Sequence, residues 1–393
     1  MRSGPPSPGK NNDIEILRAF AILYTIILHF RVLLGSDSIL LTPHNFLDLS
    51  VGVDLFLVIS GFVITGSIIE STGDSAATRR ALMFSFWIKR IFRLLPAAWT
   101  WVAIACAAQF FVLAVTDIPY QPRDILLSVA AALGNLMNLY TPFCIANGGG
   151  QACIVGNYVG HYWSLSLEEQ FYLVFPFLFF FLSRRALVGL LVVAIVAQFF
   201  WQRPFFTYPW YFKTDALCWG IGLALFTRTG FYHRHLPVLF MHRRLAAASG
   251  LVLLGCLPLL AARVQGIGGY MQPYGVGLVA LFCAAIVWLA SYDRNTFSLG
   301  PRYQRVMLYL GSRSYSLYLA HLVVFLTSRD LFSAFGQELA MATGAAGFNA
   351  IMLAVALGLT LLGAELTYRF VESVLRARGR VIAARVVANS RQG

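Results

Sequence analysis

The chain has 393 residues, 58% of them hydrophobic, 15% aromatic and only 12% charged. Soluble domains carry about 25% charged residues, and a mean hydropathy of +0.69 excludes a water-facing surface of ordinary polarity, so the bilayer is the main solvent. The net charge of +13 would point to nucleic acid in a soluble protein; here the basic residues sit between apolar stretches, where they read as topology signals and phosphate contacts, and nucleic acid is not an expected partner.

Residues 1–13 are polar and rich in Pro, Gly and Asn, which predicts a disordered tail, and no cleavable signal peptide is visible. Apolar runs long enough to cross a bilayer follow near 14–34, 51–70, 94–116, 164–183, 186–202, 214–229, 246–262, 273–291, 307–328 and 346–369. Segment 125–143 is apolar too, but it contains Asn135 and Asn138 and runs into a polar loop; it reads as re-entrant or interfacial, with a full span as the alternative. Arg and Lys cluster in alternate loops, at Arg79 to Arg93, Arg184 and Arg185, Arg228 to Arg244, Arg294 to Arg305 and Arg369 to Arg380. The positive-inside rule then predicts an all-α membrane protein of about ten transmembrane helices with both termini cytoplasmic. One membrane domain fills 14–375, followed by a basic cytoplasmic tail over 376–393. Four of the six cysteines lie in apolar runs, whereas Cys144 and Cys153 bracket the Gly-rich loop CIANGGGQAC, where an oxidising compartment would permit a disulfide. No metal-ligand spacing is present.

Ionisable groups inside apolar spans are costly, and a chain keeps them for function or for an internal ion pair. The first span, IEILRAFAILYTIILHF, carries Arg18 and His29 eleven residues apart. At 100° per residue they return to within about 20° of one face, roughly 16 Å apart along the axis. Glu15 is within ion-pair reach of Arg18. His29 reads either as a base that accepts a hydroxyl proton or as a histidine hydrogen-bonded between helices. In GVDLFLVISGF, Asp54 could orient His29 or a substrate, or serve as a carboxylate on the helix dipole, while Ser60 and Gly61 permit close helix approach. In WIKRIFRLLPAAW, Lys89, Arg90 and Arg93 are either a phosphate clamp or plain topology charge. GHYWSLSLEEQFYLVFP is the most informative stretch: on a helix His161, Ser164, Glu168 and Tyr172 form one stripe, and Glu168, Glu169 and Gln170 enter an apolar span. They read as a polar acceptor site or a scaffold for the base, against a plain outer-edge cap. In GSRSYSLYLAHLVVF, His321 is a cavity residue or an interhelical bond. In ELTYRFVES, Glu365, Arg369 and Glu372 read as a structural ion-pair ladder.

Taken in order over nearly the whole chain, these six stretches resemble the membrane acyltransferase-3 family, which includes bacterial polysaccharide O-acetyltransferases, Nod-factor acetyltransferases and macrolide acyltransferases. The resemblance implies transfer of an acyl group, usually acetyl, from cytoplasmic acyl-CoA to a hydroxyl of a sugar-containing acceptor, by a multi-pass protein of the bacterial inner membrane. It implies no permanently bound cofactor; acyl-CoA is the donor co-substrate. By resemblance, Arg18 and His29 are the essential first-helix pair, Arg90 and Arg93 meet the CoA, and Trp163, Ser164, Glu168 and Glu169 match the WSLxxEEQ element. A C-terminal hydrolase-like domain found in many members is not expected here. The mechanism this suggests has Arg90 and Arg93, with Lys89 nearby and help from Arg18, hold the donor phosphates. His29 acts as general base, oriented by Glu168 or Asp54, and Trp163, Ser164, Glu169, His161, Tyr172 and His321 bind the substrate. Direct transfer is favoured over an acyl-enzyme because no exposed Ser or Cys nucleophile stands out. A transporter or flippase of a glycan or lipid is the alternative, since it too places charges within spans.

Overall fold

The computed structural model describes residues 11–34, 38–73, 77–149, 153–154, 156–237, 242–265 and 272–391, and these contain helices and connecting turns but no strand. Fourteen helices carry the architecture: α1 (Asn12–Leu28), α2 (Val51–Thr72), α3 (Arg79–Val115), α4 (Pro122–Leu133), α5 (Met137–Cys144), α6 (Tyr162–Phe181), α7 (Arg184–Phe199), α8 (Thr214–Phe226), α9 (Arg243–Val264), α10 (Gly275–Ser291), α11 (Pro301–Ser312), α12 (Ser314–Phe335), α13 (Gln337–Thr367) and α14 (Ser373–Asn389). Among the described residues, six helical stretches are long and apolar enough to cross a membrane: Asn12–Leu33, Val51–Thr72, Arg79–Val115, Arg244–Val264, Ser314–Phe335 and Gln337–Asn389. Their outward faces are apolar. Leu173, Val174, Phe177 and Phe181 of α6, and Leu359, Leu362 and Leu366 of α13, are exposed where a water-soluble protein would place polar groups. The chain is a multi-pass membrane protein.

Several boundaries differ from the sequence reading. α1 starts at Asn12 because the Asn11 side chain accepts from the Ile14 amide, so Asn11 to Asp13 belong to a capped helix and not to a disordered tail; residues 1–10 lie outside the described set. The basic motif with Arg90 and Arg93 does not precede the third span but lies inside α3, which runs unbroken for 37 residues. The apolar run 307–328 is two helices, split at Arg313. Segment 125–143 is likewise two helices of 12 and 8 residues, broken where Asn135 takes φ 53°. At 1.5 Å per residue they are about 18 and 12 Å long, and the break at Asn135 keeps them from forming one continuous helix. Residues 376–389 of the basic tail are helical, continuing α13 through the π-turn Tyr368–Glu372.

α1 lies at the centre. Ile16, Leu17, Ala19, Ala21 and Ile22 are fully buried, and α2, α10, α11 and α12 pack around them. α2 and α8 approach closely through glycine: a Cβ on Gly61 would fall 2.3 Å from the Leu217 carbonyl oxygen, and one on Gly220 2.2 Å from that of Val58. In hydrocarbon there is no hydrophobic drive between helices, so such close backbone contact supplies much of the cohesion. On the end of the bundle that carries the α4–α5 break, Cys144 and Cys153 form a disulfide with Cα atoms 6.0 Å apart.

Substituting Gly61→Val or Gly220→Val is expected to cost about 1–3 kcal/mol by overpacking, read as a lower thermal midpoint in detergent. Gly66→Val, where a Cβ meets nothing within 4 Å, is expected to leave the midpoint within error; an equal loss from all three would contradict the close approach.

Candidate active site

α6 presents Ser164, Glu168 and Tyr172 at four-residue spacing, which places them one above another on a single face. That face lines a cavity of about 300 Å³, shared with Ser60 of α2, Arg90 and Arg93 of α3, Glu15 and Arg18 of α1, Tyr315 and Tyr318 of α12, and Glu372 and Arg376 of the α13–α14 continuation. Four arginines therefore face three glutamates. Each glutamate is already engaged. Arg18 Nη1 lies 3.2 Å from Glu15 Oε1, and Arg376 Nη1 lies 3.6 Å from Glu372 Oε1. Glu372 Oε2 also accepts from Ser316 at 2.9 Å, and Glu168 accepts from the hydroxyls of Ser60 and Tyr172. Arg90 and Arg93 make no ion pair among the described residues, and their Nε atoms are buried without a hydrogen-bond partner. Arg90 instead stacks over Phe86 and Tyr172, 5.4 and 5.7 Å from their ring centres. Two guanidinium groups outside any ion pair, with Glu168 and Glu372 sharing their cavity, offer hydrogen-bond donors to an anion, and their planar forks suit phosphate oxygens.

The cavity ends at Tyr318. Its hydroxyl is 2.7 Å from Ser164 Oγ and donates to the His161 carbonyl oxygen at 2.8 Å. Beyond its ring lie three histidines. His161 and His321 are 5.2 Å apart centre to centre, and His29 and His321 5.0 Å. His161 is 4% exposed and His321 fully buried, whereas His29, at the C-cap of α1, is half-buried.

Acceptor geometry defines the tautomers. His321 Nδ1 is 2.7 Å from the Tyr318 carbonyl oxygen, which can only accept, so Nδ1 carries the proton and Nε2 a lone pair. That lone pair faces His29 Nδ1 at 3.3 Å. His29 Nδ1 is also 2.7 Å from the Thr25 carbonyl oxygen. Both neighbours are acceptors, so His29 is protonated at Nδ1 and its Nε2 is the free base. Both ring nitrogens of His161 are buried without a partner.

The structure corrects part of the predicted site. Asp54 does not orient His29: it is fully buried 2.9 Å from Lys213 Nζ, beside a second buried pair in which Arg203 grips both oxygens of Asp215 at 2.8 and 2.7 Å. A lone carboxylate in that packing would be far more costly than a paired one. Glu168 likewise makes no contact with His29; its hydrogen bonds hold Ser60 and Tyr172. Lys89, Glu169 and Trp163 do not line the cavity; Trp163 packs edge-on against Tyr211, 5.2 Å away. Sequence reasoning had put Arg376 with the topology charges and Glu372 in a structural ladder. The four-residue spacing from Glu372 to Arg376 was the available signal for that pair.

Fold and site together define a multi-pass membrane protein with an arginine- and glutamate-lined cavity that ends at Tyr318, against which two members of a histidine cluster pack. The family profile described as an acyltransferase domain (Acyl_transf_3) matches residues 11–367, and the chain belongs to that acyltransferase-3 family. A protein named "Putative O-acetyltransferase SACOL0978" of Staphylococcus aureus (strain COL) is 28% identical over 395 residues, 93% of this chain and 57% of that protein. O-acetyltransferase OatA of Staphylococcus aureus (strain NCTC 8325 / PS 47) is 28% identical over 400 residues, 95% of this chain and 58% of that protein. The chain thus spans a little over half the length of these relatives. No solved structure matches it.

The Asp54–Lys213 assignment is testable. Asp54→Asn leaves the ammonium buried and uncompensated and is expected to destabilise by about 3–5 kcal/mol. The double variant Asp54→Leu/Lys213→Met is expected to recover most of the thermal stability; failure of the double variant to recover would show that Asp54 has a second role.

Proposed function

We propose that this protein is an O-acyltransferase of the bacterial inner membrane that moves an acetyl group from cytoplasmic acyl-CoA to a hydroxyl of a sugar-containing acceptor on the opposite side. The observation that supports it most is the succession of polar groups through the bundle. Arg90 and Arg93, outside any ion pair among the described residues, line a cavity that reaches Tyr318 at its hydrogen bond with Ser164; the rings of His161 and His321 lie against Tyr318, and His29 meets His321. The names of the relatives and the family point to the same chemistry.

In this reading the chain crosses the membrane ten times with both termini cytoplasmic. The six long apolar helices are joined by α6, α7, α8 and α10, which match the remaining predicted runs at 20, 16, 13 and 17 residues. The positive-inside rule puts the arginine-lined end in the cytoplasm. Arg90 and Arg93, helped by Arg18 and Arg376, hold phosphates of acyl-CoA. A cavity of about 300 Å³ admits part of that donor and leaves the rest outside. The thioester reaches Ser164 and Tyr318. Rotation of the Tyr318 ring joins the cavity to the histidines. The acceptor hydroxyl gives its proton to His29 Nε2 as its oxygen bonds to the acyl carbon; the C–S bond breaks, and the CoA thiolate leaves toward the arginines and takes a proton from water. His321 stabilises the doubly protonated His29 ring through its Nε2 lone pair. Neither Asp54 nor Glu168 takes part in this proton transfer.

The test uses purified protein in nanodiscs with radiolabelled acetyl-CoA and a cell-envelope glycan extract. His29→Ala is expected to lower kcat by about 10²–10⁴-fold while acetyl-CoA still binds. Arg93→Ala is expected to weaken acetyl-CoA binding by about 10–100-fold, as loss of a charge-assisted contact implies, with a smaller change in kcat. Equal labelling by wild type and His29→Ala would remove His29 from the chemistry. Unchanged donor binding in Arg93→Ala would remove the phosphate assignment.

A further inference from the structure

The main cavity has two unlike ends, and its lining residues order them. On α6, Glu168 accepts from both Ser60 and Tyr172, and Arg90 stacks over the Tyr172 ring, so the Tyr172 side is the charged end. Ser164 stands eight residues from Tyr172 on the same face of α6, about 12 Å along the axis, with Glu168 between them. On α2, Phe56 is one turn from Ser60, on the Ser164 side. Its ring packs edge-on against Tyr318, 6.2 Å between centres, and the Tyr318 hydroxyl is the partner of Ser164. The lining contributed near Tyr318 by α2 and α6 is otherwise apolar: Val53, Phe56, Leu57 and Leu165. All seven charged residues of the lining come from α1, α3, α6 and the α13–α14 continuation, none from α2 or α12. A ligand that sets its phosphates on Arg90 and Arg93 and extends along the cavity therefore ends against apolar side chains. In the proposed reaction that end of the ligand is the acyl group.

Phe56 closes this end. It is partly buried, and it packs against two hydrophobic clusters. One is built mainly from α1, α2, α8 and α10, the other mainly from α1, α12 and α13. What lies behind the ring is packed apolar core, which resists any group that would overfill it. An alkyl chain that stops short of the ring is accommodated; a longer one must displace it. Removing the ring opens space of the right polarity for the added methylenes. We propose that Phe56 sets the length of the transferred acyl group, admitting acetyl and turning away butanoyl and longer chains. The inference rests on the proposed acyl-CoA donor and specifies its acyl part.

Binding of CoA, acetyl-CoA, butanoyl-CoA and hexanoyl-CoA to the full chain in nanodiscs is measured by equilibrium dialysis, independent of turnover. Free CoA reports the arginine end and an intact fold. Wild type is expected to bind acetyl-CoA at least about tenfold tighter than hexanoyl-CoA, the discrimination that a pocket of fixed length gives. Phe56→Ala is expected to lose that preference while free CoA still binds. A Phe→Ala change in a core also costs stability, so Phe56→Leu, which keeps most of the space filled, is the second variant; it is expected to admit butanoyl-CoA before hexanoyl-CoA. The kcat/KM values for acyl transfer from the same donors to a cell-envelope glycan extract are expected to follow the same order. Equal binding of all three thioesters by wild type overturns the assignment, as does an unchanged acetyl-to-hexanoyl ratio in the variants that still bind CoA, even if acetyl transfer proceeds. A ratio that shifts in the variants, without transfer from any donor to any glycan, upholds Phe56 as the length determinant and removes the transferase reading instead. Failure of wild type to bind CoA or any thioester overturns both.

Discussion

Charge inside an apolar bundle must be answered by a partner, and the pattern of answers organises this molecule. An ionised side chain at membrane depth costs several kcal/mol, and only pairing, hydrogen bonding or contact with a water-filled space makes it tolerable. Asp54 with Lys213 and Asp215 with Arg203 are fully buried pairs. They brace the start of α8 against the start of α2, next to the glycine contact of the same two helices. Glu15 and Glu372 have arginine partners at the edge of the main cavity. Glu168 is satisfied by two hydroxyls. Pairing stops at Arg90 and Arg93, and a ligand anion is the natural completion of that set.

The same constraint divides the interior into two chambers. One is lined by four arginines and three glutamates, the other, beside the Cys144–Cys153 disulfide, by amides, a carboxylate and tyrosines, and the three histidines line neither. Tyr318 stands at the boundary, hydrogen-bonded to Ser164 in front and to the His161 carbonyl behind. In the proposed reaction the donor and the acceptor approach from opposite ends. The barrier between them is one aromatic side chain, and its rotation is the smallest movement that couples the two halves.

How much of this the sequence reveals depends on how far apart in the chain the partners are. Of the stripe His161, Ser164, Glu168 and Tyr172, the last three line the cavity, because helical periodicity alone aligns residues four apart; His161 stands at the N-cap, outside that lining. Glu15 with Arg18 was legible for the same reason. Asp54 was not: its partner Lys213 is 159 residues away, and no local pattern links an acidic residue in a helical first turn to a lysine in a distant aromatic loop. The meeting of His29 with His321, 292 residues apart, is likewise a tertiary fact. Helix existence was legible from hydropathy, but breaks were not. An apolar run splits at Arg313, two residues after Gly311, whereas α3 continues through Pro96. Arg376 was hidden because a basic residue after the last span carries the same signature whether it serves topology or a site.

The central claim is that the donor and the acceptor are met on opposite faces of one membrane protein. It is tested most directly in proteoliposomes of uniform orientation with labelled acetyl-CoA confined to one side and glycan acceptor to the other. Label is predicted to reach the acceptor only when acetyl-CoA is on the side of Arg90 and Arg93 and the acceptor is on the side of the Cys144–Cys153 disulfide. Transfer that requires both substrates on the same face would contradict the two-chamber path.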